Sequence, residues 1–180
     1  MYWDKKIETL KPADLQALQL KRLKKTLKQV ENVGFYKKRL AEAGVKTSSI
    51  KRLDDIRKVP FTKKQDLRDG YPFGFLAVPL KKVVRIHTTS GTTGKPTVVG
   101  YTRNDLDAWS DLIARNMTMV GVTADDIFQN MVNYGMFTGG LGFHYGAEKI
   151  GMTVIPSATG NTRRQIEMIK QGFFAAVQAG

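Results

Sequence analysis

The sequence predicts an α/β protein in which an N-terminal helical segment precedes part of a wound parallel sheet. Apolar residues recur at helical spacing through the N-terminal part, whereas short β-branched runs begin near residue 82. From residue 126 onward, strand-like and helix-like segments alternate, which is typical of a parallel sheet with crossover helices. We therefore expect a helical region over residues 1–80 and the start of an α/β domain over residues 81–180.

The clearest predicted helix of the first region covers residues 12–31. Pro12 suits the first turn of a helix because its missing N–H would have no partner there. A shorter helix over residues 35–43 is expected to end at Gly44. The apolar stripe of the first helix consists of Leu20, Leu23, Leu27 and Val30.

The second region begins with two short predicted strands, 83–87 and 96–102, on either side of a polar loop. A helix over residues 103–120 follows, with its apolar residues near one stripe. The remaining predicted elements are a strand at 126–132, a helix at 142–151 capped by Gly151, a strand at 152–157, a helix at 160–172 stopped by Gly172, and a strand at 173–179.

Positive charge is concentrated before the polar loop. The net charge of the 180 residues is +13, and residues 1–87 hold 22 Lys and Arg against 9 Asp and Glu, whereas residues 88–180 hold seven of each. Such an excess is compatible with a polyanion-binding face or with a solvated helical surface. We favour the solvated surface, because the basic residues interleave with a helical core pattern and not with aromatic residues.

The chain lacks cysteine, so disulfides, zinc–thiolate sites and cysteine nucleophiles are excluded. It contains no run of about 18 apolar residues that would predict a transmembrane helix, and its first residues have no apolar signal segment. We expect a cytoplasmic protein with no membrane partner.

The loop between the two strands has the composition of a phosphate site. Glycines let backbone N–H groups approach an anion closely, hydroxyls add donors, and one lysine adds a mobile positive charge. It is not a Walker A loop, which needs Gly where Thr89 stands and Ser or Thr where Pro96 stands. It also leads into a strand and not into a helix. We therefore expect a lid that closes over phosphates.

These residues resemble the phosphate loop of the adenylate-forming superfamily, which includes acyl-CoA synthetases and luciferases. Further segments narrow the resemblance to the phenylacetate–CoA ligase group, and they run almost from end to end of the chain. They are NVGFYKKRLAEAGV, LDDIRKVPFTKKQDLRDGYPFG, VRIHTTSGTTGKPTVVGYTRNDLDAW, MFTGGLGFHYGAEKIGMTVIP and GNTRRQIEMI.

The resemblance implies an acid–thiol ligase that uses ATP, Mg²⁺ and coenzyme A. An arylacetate is converted to an acyl-adenylate and then to an acyl-CoA. The resemblance implies small-molecule partners and no nucleic acid, and it leaves scope for a homodimer of the full-length enzyme. The resemblance assigns the ATP phosphates to Thr89, Ser90, Gly91, Thr92, Thr93, Gly94 and Lys95. It assigns the wall of the aryl pocket to Tyr134, Phe137, Gly139 and Gly140.

Several residues near these segments allow two interpretations, a ligand contact or a purely structural role. His87 precedes the loop and His144 lies beside the expected pocket, yet a lone histidine is more often structural. Tyr134 is equally compatible with a core aromatic residue. Glu148 is not taken as a metal ligand, since the family motif with a magnesium-binding glutamate comes later in the chain. Val132 stands where many members have a second aromatic residue, so the preferred acid stays open.

The resemblance also implies what the sequence does not contain. The later part of the large domain and the C-terminal domain of the family have no counterpart here, so we expect a truncated chain that does not complete the reaction alone and in which no catalytic residue is assigned. Two alternatives stay open: a basic nucleic-acid-binding module, and a nonfunctional gene fragment.

Overall fold

The structure is a computed structural model and describes residues 1–89, 96–136 and 138–179. The chain divides into two compact units, Lys5–Arg103 and a second unit that joins Met1–Asp4 to Asn104–Gly180. Each unit is described by itself below. The predicted domain boundary at residues 80 and 81 stays a prediction.

The unit Lys5–Arg103 is mainly helical, as predicted. Its α-helices are α1 (Lys5–Glu8), α2 (Pro12–Val30), α3 (Gly34–Glu42) and α4 (Lys64–Asp69). Short 3₁₀ helices cover Thr47–Ser49, Leu53–Lys58 and Leu80–Lys82. The residue after α3 and its cap, Gly44, has a φ of +64°, a conformation that favours glycine and ends the helix there.

Helix α2 packs against the 3₁₀ helices that follow α3. Its predicted stripe faces inward at Leu27, and the buried apolar residues of this region are Leu27, Val33, Leu40 and Ile50. Next to them, Arg39 of α3 lies over the ring of Phe35, donates to a carboxylate oxygen of Asp66 at 2.7 Å, and donates to the carbonyl of Phe61 at 3.0 Å. The α3 surface is therefore fixed to α4 and to the segment before it.

A two-stranded antiparallel hairpin ends this unit. It consists of β1 (Arg85–Thr88) and β2 (Val98–Tyr101), with Arg85 opposite Tyr101 and Thr88 opposite Val98. Gly100 in β2 packs closely, since a Cβ there would lie 2.8 Å from a methyl carbon of Leu76. A strand on each side of the polar loop was predicted, and this pairing confirms it.

The second unit is the α/β part. Its elements are α5 (Arg103–Met119), β3 (Ile127–Gln129), α6 (Gly139–Ile150), β4 (Thr153–Ile155) and α7 (Thr162–Ala179). Strands β3 and β4 pair in parallel, with Ile127 opposite Thr153 and Gln129 opposite Ile155. This strand–helix–strand unit confirms the predicted parallel pairing.

The core of this unit lies between α5, α6 and the parallel strands. Met117, Ala147 and Met152 are buried, with Phe128 and Phe143 packed against them. Glycines bring the two helices together, since a Cβ on Gly142 would lie 2.7 Å from the Trp109 ring and one on Gly146 would lie 2.6 Å from Ile113 Cβ. Close helix packing therefore depends on small residues in α6.

One predicted strand is wrong. Residues 173–179 continue α7, which runs through Gly172 to Ala179. A short apolar run does not distinguish a strand from a helix, and this run holds three alanines, the strongest helix formers. A glycine inside a helix costs only about 1 kcal/mol relative to alanine, so Gly172 does not end the helix.

Asp55 organises the 3₁₀ helix Leu53–Lys58. Its Oδ2 accepts from the backbone N–H groups of Lys51 at 2.7 Å and Arg52 at 3.0 Å, and its Oδ1 accepts from Lys58 Nζ at 2.8 Å. The residue is 7% exposed. The Lys58 hydrogen bond, followed by the two backbone donors, holds the pKa of this carboxyl well below its usual range.

We expect Asp55→Asn to lower the thermal midpoint at pH 7. Because the folded state holds the pKa below its unfolded value, the carboxylate stabilises the fold above about pH 4, and this contribution is lost as the pH falls toward the folded-state pKa. The gap between wild type and variant should therefore shrink below pH 4 in melts followed by circular dichroism. The exposed neighbour Asp54→Asn is the control; equal pH profiles for wild type and Asp55→Asn would contradict the assignment.

Candidate functional site

The polar loop leaves β1 and returns to β2 through a closed base. The backbone N–H of Thr89 donates to the carbonyl of Thr97 at 3.0 Å, and the N–H of Thr97 donates to Thr89 Oγ1 at 3.1 Å. These two bonds extend the pairing one step beyond the β1–β2 ladder. The two ends of the loop are therefore held side by side.

Six of the seven residues predicted to bind the ATP phosphates lie outside the described residues. They are Ser90, Gly91, Thr92, Thr93, Gly94 and Lys95. Thr89 is described and is part of the closed base. Its side-chain oxygen is already an acceptor for Thr97, so its structural task is clear while its contact with phosphate stays a prediction.

His87 lies within the hairpin that carries this loop. Its side chain is buried, and its ring packs edge-on against Tyr101 with 5.4 Å between centroids. Tyr101 stands on β2, so the contact joins the two strands. Of the two interpretations left open by the sequence, packing within the hairpin is the one these contacts support.

The second predicted site segment starts at Asn130, directly after β3. Asn130 is fully buried, and its N–H donates to the Ile155 carbonyl at 2.8 Å, which continues the parallel pairing. Its own carbonyl accepts from the N–H of Ala158 at 3.0 Å and from Ser157 Oγ at 3.2 Å. The backbone of Asn130 is thus tied to the segment that follows β4.

The Asn130 side chain organises the turn between β3 and α6. Its Nδ2 donates to the Gly140 carbonyl at 2.8 Å and to the Tyr134 hydroxyl at 2.7 Å, while Oδ1 accepts from the Val132 N–H at 3.2 Å. One amide therefore holds the beginning, the middle and the end of the turn. Sequence reasoning missed this residue, because a single Asn after a strand carries no pattern of its own.

Tyr134 connects this turn to helix α6. Its hydroxyl lies 3.1 Å from His144 Nδ1, and His144 Nε2 lies 3.0 Å from Glu148 Oε1. Burial raises the pKa of the Tyr134 hydroxyl above its usual value. The Asn130 hydrogen bond acts in the opposite direction, and the Glu148 charge adds a smaller increase. The phenol is therefore neutral at physiological pH.

The predicted wall glycines are adjacent at the start of α6. A Cβ on Gly140 would touch the Asn133 carbonyl oxygen and lie 2.9 Å from its carbonyl carbon, so the space that Gly140 leaves is occupied by backbone. A Cβ on Gly139 would lie 3.2 Å from a methyl of Val132. Tyr134, Gly139 and Gly140 thus belong to one folded turn; Phe137 lies outside the described residues.

Metal ligation has no support in the described ranges 1–89, 96–136 and 138–179. Within them, no three His, Asp or Glu side chains come together as a ligand set. Glu148 contacts His144 through one of its oxygens, at the i, i+4 spacing of α6. That spacing is the signal by which the sequence could have paired His144 with Glu148.

Four curated ligases match the chain over most of its length. It is 53% identical to the phenylacetate–coenzyme A ligase of Escherichia coli over 165 residues, which are 91% of this chain and 38% of that protein. This chain is homologous to part of the phenylacetate–coenzyme A ligases. The enzyme of the same name from Thermus thermophilus is 49% identical over 171 residues, 94% of this chain and 38% of its own length. The chain therefore spans about 38% of the length of these relatives.

Solved structures of an acyl-CoA ligase share the fold. The open conformation of 2-hydroxyisobutyryl-CoA ligase, in complex with 2-HIB-AMP and CoA, superposes with a TM-score of 0.84 at 29% identity, covering 94% of this chain and 40% of that one. Its thioesterification state gives a TM-score of 0.85 at 30% identity, covering 94% of this chain and 37% of that one. No protein-family model matches the chain. The α/β fold class predicted from the sequence is confirmed.

We expect Asn130→Ala to destabilise the chain by about 2–3 kcal/mol, because it leaves buried partners in the turn without their hydrogen bonds. Urea unfolding at pH 7 measures the change. The matched control is Asn133→Ala, since Asn133 is exposed and accepts one hydrogen bond, from the Gly135 N–H at 3.0 Å. Equal losses in the two variants would contradict the role given to Asn130.

Proposed function

We propose that this chain is the phosphate-binding and acid-binding part of an ATP-dependent arylacetate–coenzyme A ligase. The observation that carries the proposal is the 48–53% identity to phenylacetate–coenzyme A ligases over 91–94% of the chain. The loop with a closed base between β1 and β2 and the hydrogen bonds of Asn130 before α6 support it, since these are the two segments to which the resemblance assigns ligand contacts.

The proposed reaction has two steps. A carboxylate oxygen of the arylacetate attacks the α-phosphorus of ATP, the bond to the β-phosphate oxygen breaks, and pyrophosphate leaves. The sulfur of coenzyme A then attacks the carbonyl carbon of the acyl-adenylate, AMP departs with the bridging oxygen, and the thiol proton passes to solvent. The first step turns a poor electrophile into one with a good leaving group, and positioning with charge neutralisation lowers its barrier.

The loop from Thr89 to Lys95 would hold the β- and γ-phosphates. Glycine N–H groups and hydroxyls offer donors, and the Lys95 ammonium offers the positive charge that departing pyrophosphate needs. Mg²⁺ is expected to accompany ATP, but the described residues bring no ligand set together, so no step is assigned to the metal.

The turn before α6 would form the wall against which the aryl group packs. Tyr134 and Phe137 offer aromatic faces, and Gly139 lies at the start of the helix. A neutral Tyr134 suits this task, since a phenolate would repel the carboxylate of the acid. Val132 in place of a second aromatic residue leaves room for acids of other size, so the tests below include indoleacetate beside phenylacetate.

The partners and the location of the full-length protein belong to the same proposal. ATP, an arylacetate and coenzyme A are the small-molecule partners, the cytoplasm is the expected compartment, and the resemblance leaves scope for a homodimer of the full-length enzyme. Among the described parts of the chain, no helix combines the length and the apolar character that a bilayer crossing requires.

A graft tests the function. The 180 residues replace the matching segment of the Escherichia coli relative, and arylacetate-dependent ATP–pyrophosphate exchange is measured with phenylacetate and indoleacetate. The proposal predicts exchange with at least one arylacetate. The 180-residue chain by itself, which spans 38% of that relative, is expected to give none. A graft that folds by circular dichroism and melting, yet exchanges with no arylacetate, would overturn the proposal.

Within the active graft, we expect Lys95→Ala to lower kcat/KM for ATP by about 10- to 100-fold, because the developing charge on pyrophosphate loses one cationic partner. The KM for the arylacetate should stay unchanged. Lys81→Ala, an exposed lysine before β1, is the control and should match the parent. An ATP dependence that is the same in Lys95→Ala and Lys81→Ala would remove Lys95 from the phosphate site.

A further inference from the structure

Four polar side chains form a continuous row from the end of β3 into helix α6. Asn130 Nδ2 lies 2.7 Å from the Tyr134 hydroxyl, which lies 3.1 Å from His144 Nδ1, and His144 Nε2 lies 3.0 Å from Glu148 Oε1. The row runs from a fully buried amide to a half-exposed carboxylate. It joins the turn that carries Tyr134 to the helix that follows it.

The backbone fixes the orientation of the first member. The Gly140 carbonyl can only accept and lies 2.8 Å from Asn130 Nδ2, while the Val132 N–H can only donate and lies 3.2 Å from Asn130 Oδ1. The amide nitrogen therefore points toward Tyr134. Because the amide nitrogen can only donate, the phenolic oxygen of Tyr134 accepts from it.

With a neutral His144, the remaining bonds complete one alternating arrangement. The Tyr134 oxygen accepts from Asn130, so its single proton is free to point at His144 Nδ1, which then acts as an acceptor. A neutral imidazole with an unprotonated Nδ1 carries its proton on Nε2. That proton faces the Glu148 carboxylate. Donors and acceptors thus alternate along the whole row, with the Nε2–H tautomer of His144.

We propose that His144, oriented by Glu148, is a positioning residue for the acid-binding wall. It anchors the Tyr134 hydroxyl and so fixes the aromatic ring and the turn on which that ring stands. The ring contact agrees with this role, since the Tyr134 and His144 rings meet edge-on with 5.6 Å between centroids. The inference rests on the proposed function, because it gives the fixed turn its purpose.

The row also defines what Tyr134 offers to an acid. Its one proton is directed to His144, so the hydroxyl does not donate to the substrate carboxylate. Tyr134 therefore contributes an aromatic face, and the loss of its hydroxyl loosens that face without removing it. His144 acts on the acid through Tyr134 and is not a catalytic residue.

The 180-residue chain contains two histidines, which makes the tautomer measurable. Long-range ¹H–¹⁵N NMR of the full chain should show His144 with a protonated Nε2 and a hydrogen-bonded, unprotonated Nδ1. His144→Gln identifies its signals. In Tyr134→Phe the ¹⁵N resonance of His144 Nδ1 should move toward the value of an imidazole nitrogen without a hydrogen bond. The proton on Nε2 should stay in place, because its contact with Glu148 is unchanged. A His144 spectrum that is the same in wild type and Tyr134→Phe would overturn the row.

The functional part is tested in the active graft. Tyr134→Phe and His144→Gln should each raise the KM for the arylacetate about three- to tenfold, the cost of one lost hydrogen bond, with the KM for ATP unchanged. Tyr36→Phe is the control, because it also removes one tyrosine hydroxyl, in the unit Lys5–Arg103. That hydroxyl accepts a hydrogen bond from Thr62 Oγ1 at 3.0 Å. That variant should leave the KM for the acid alone.

The two failures are distinguishable. If the unsubstituted graft exchanges with arylacetates but Tyr134→Phe and His144→Gln leave the acid KM unchanged, the positioning role falls and the proposed function stands. If the unsubstituted graft folds and shows no arylacetate-dependent ATP–pyrophosphate exchange, the proposed function is wrong. The role of His144 in the acid-binding wall is then wrong as well. The NMR result then still decides whether the hydrogen-bonded row exists.

Discussion

The buried amide of Asn130 is the constraint on which the described site depends. Three of its hydrogen bonds fix a turn that has no regular structure of its own, and its backbone continues the pairing of β3 with β4. A buried side-chain amide is costly unless all its partners are present. The amide is satisfied in the observed arrangement, and the same bonds set the positions of Tyr134 and Gly140.

The two predicted site segments are built by different physical means. The polar loop stands between antiparallel strands whose ends are held by the Thr89 and Thr97 backbone, so its base is fixed by local pairing. The turn before α6 is fixed by side-chain hydrogen bonds between residues up to ten positions apart. The first segment is therefore held by backbone pairing at its base, and the second by side chains of the tertiary fold.

Sequence reasoning predicted the features that depend on local pattern. Helices α2 and α5 follow from their apolar stripes, the end of α6 follows from Gly151, and the loop between strands follows from its composition. Residues 173–179 were wrongly predicted as a strand, since propensity and a short apolar run pointed in different directions. Asn130 and the packing of Gly140 against Asn133 could not be predicted, because their partners are set by the tertiary fold.

Amide hydrogen exchange in the ¹⁵N-labelled chain measures directly whether the Asn130 side chain holds the turn. If the Asn130 side chain holds the turn, the Val132 amide is protected in wild type and in Asn133→Ala, and it loses that protection in Asn130→Ala. The Gly135 amide, which donates to Asn133, should respond to the Asn133 substitution. A Val132 amide that exchanges equally fast in wild type and Asn130→Ala would show that the Asn130 side chain does not hold the turn.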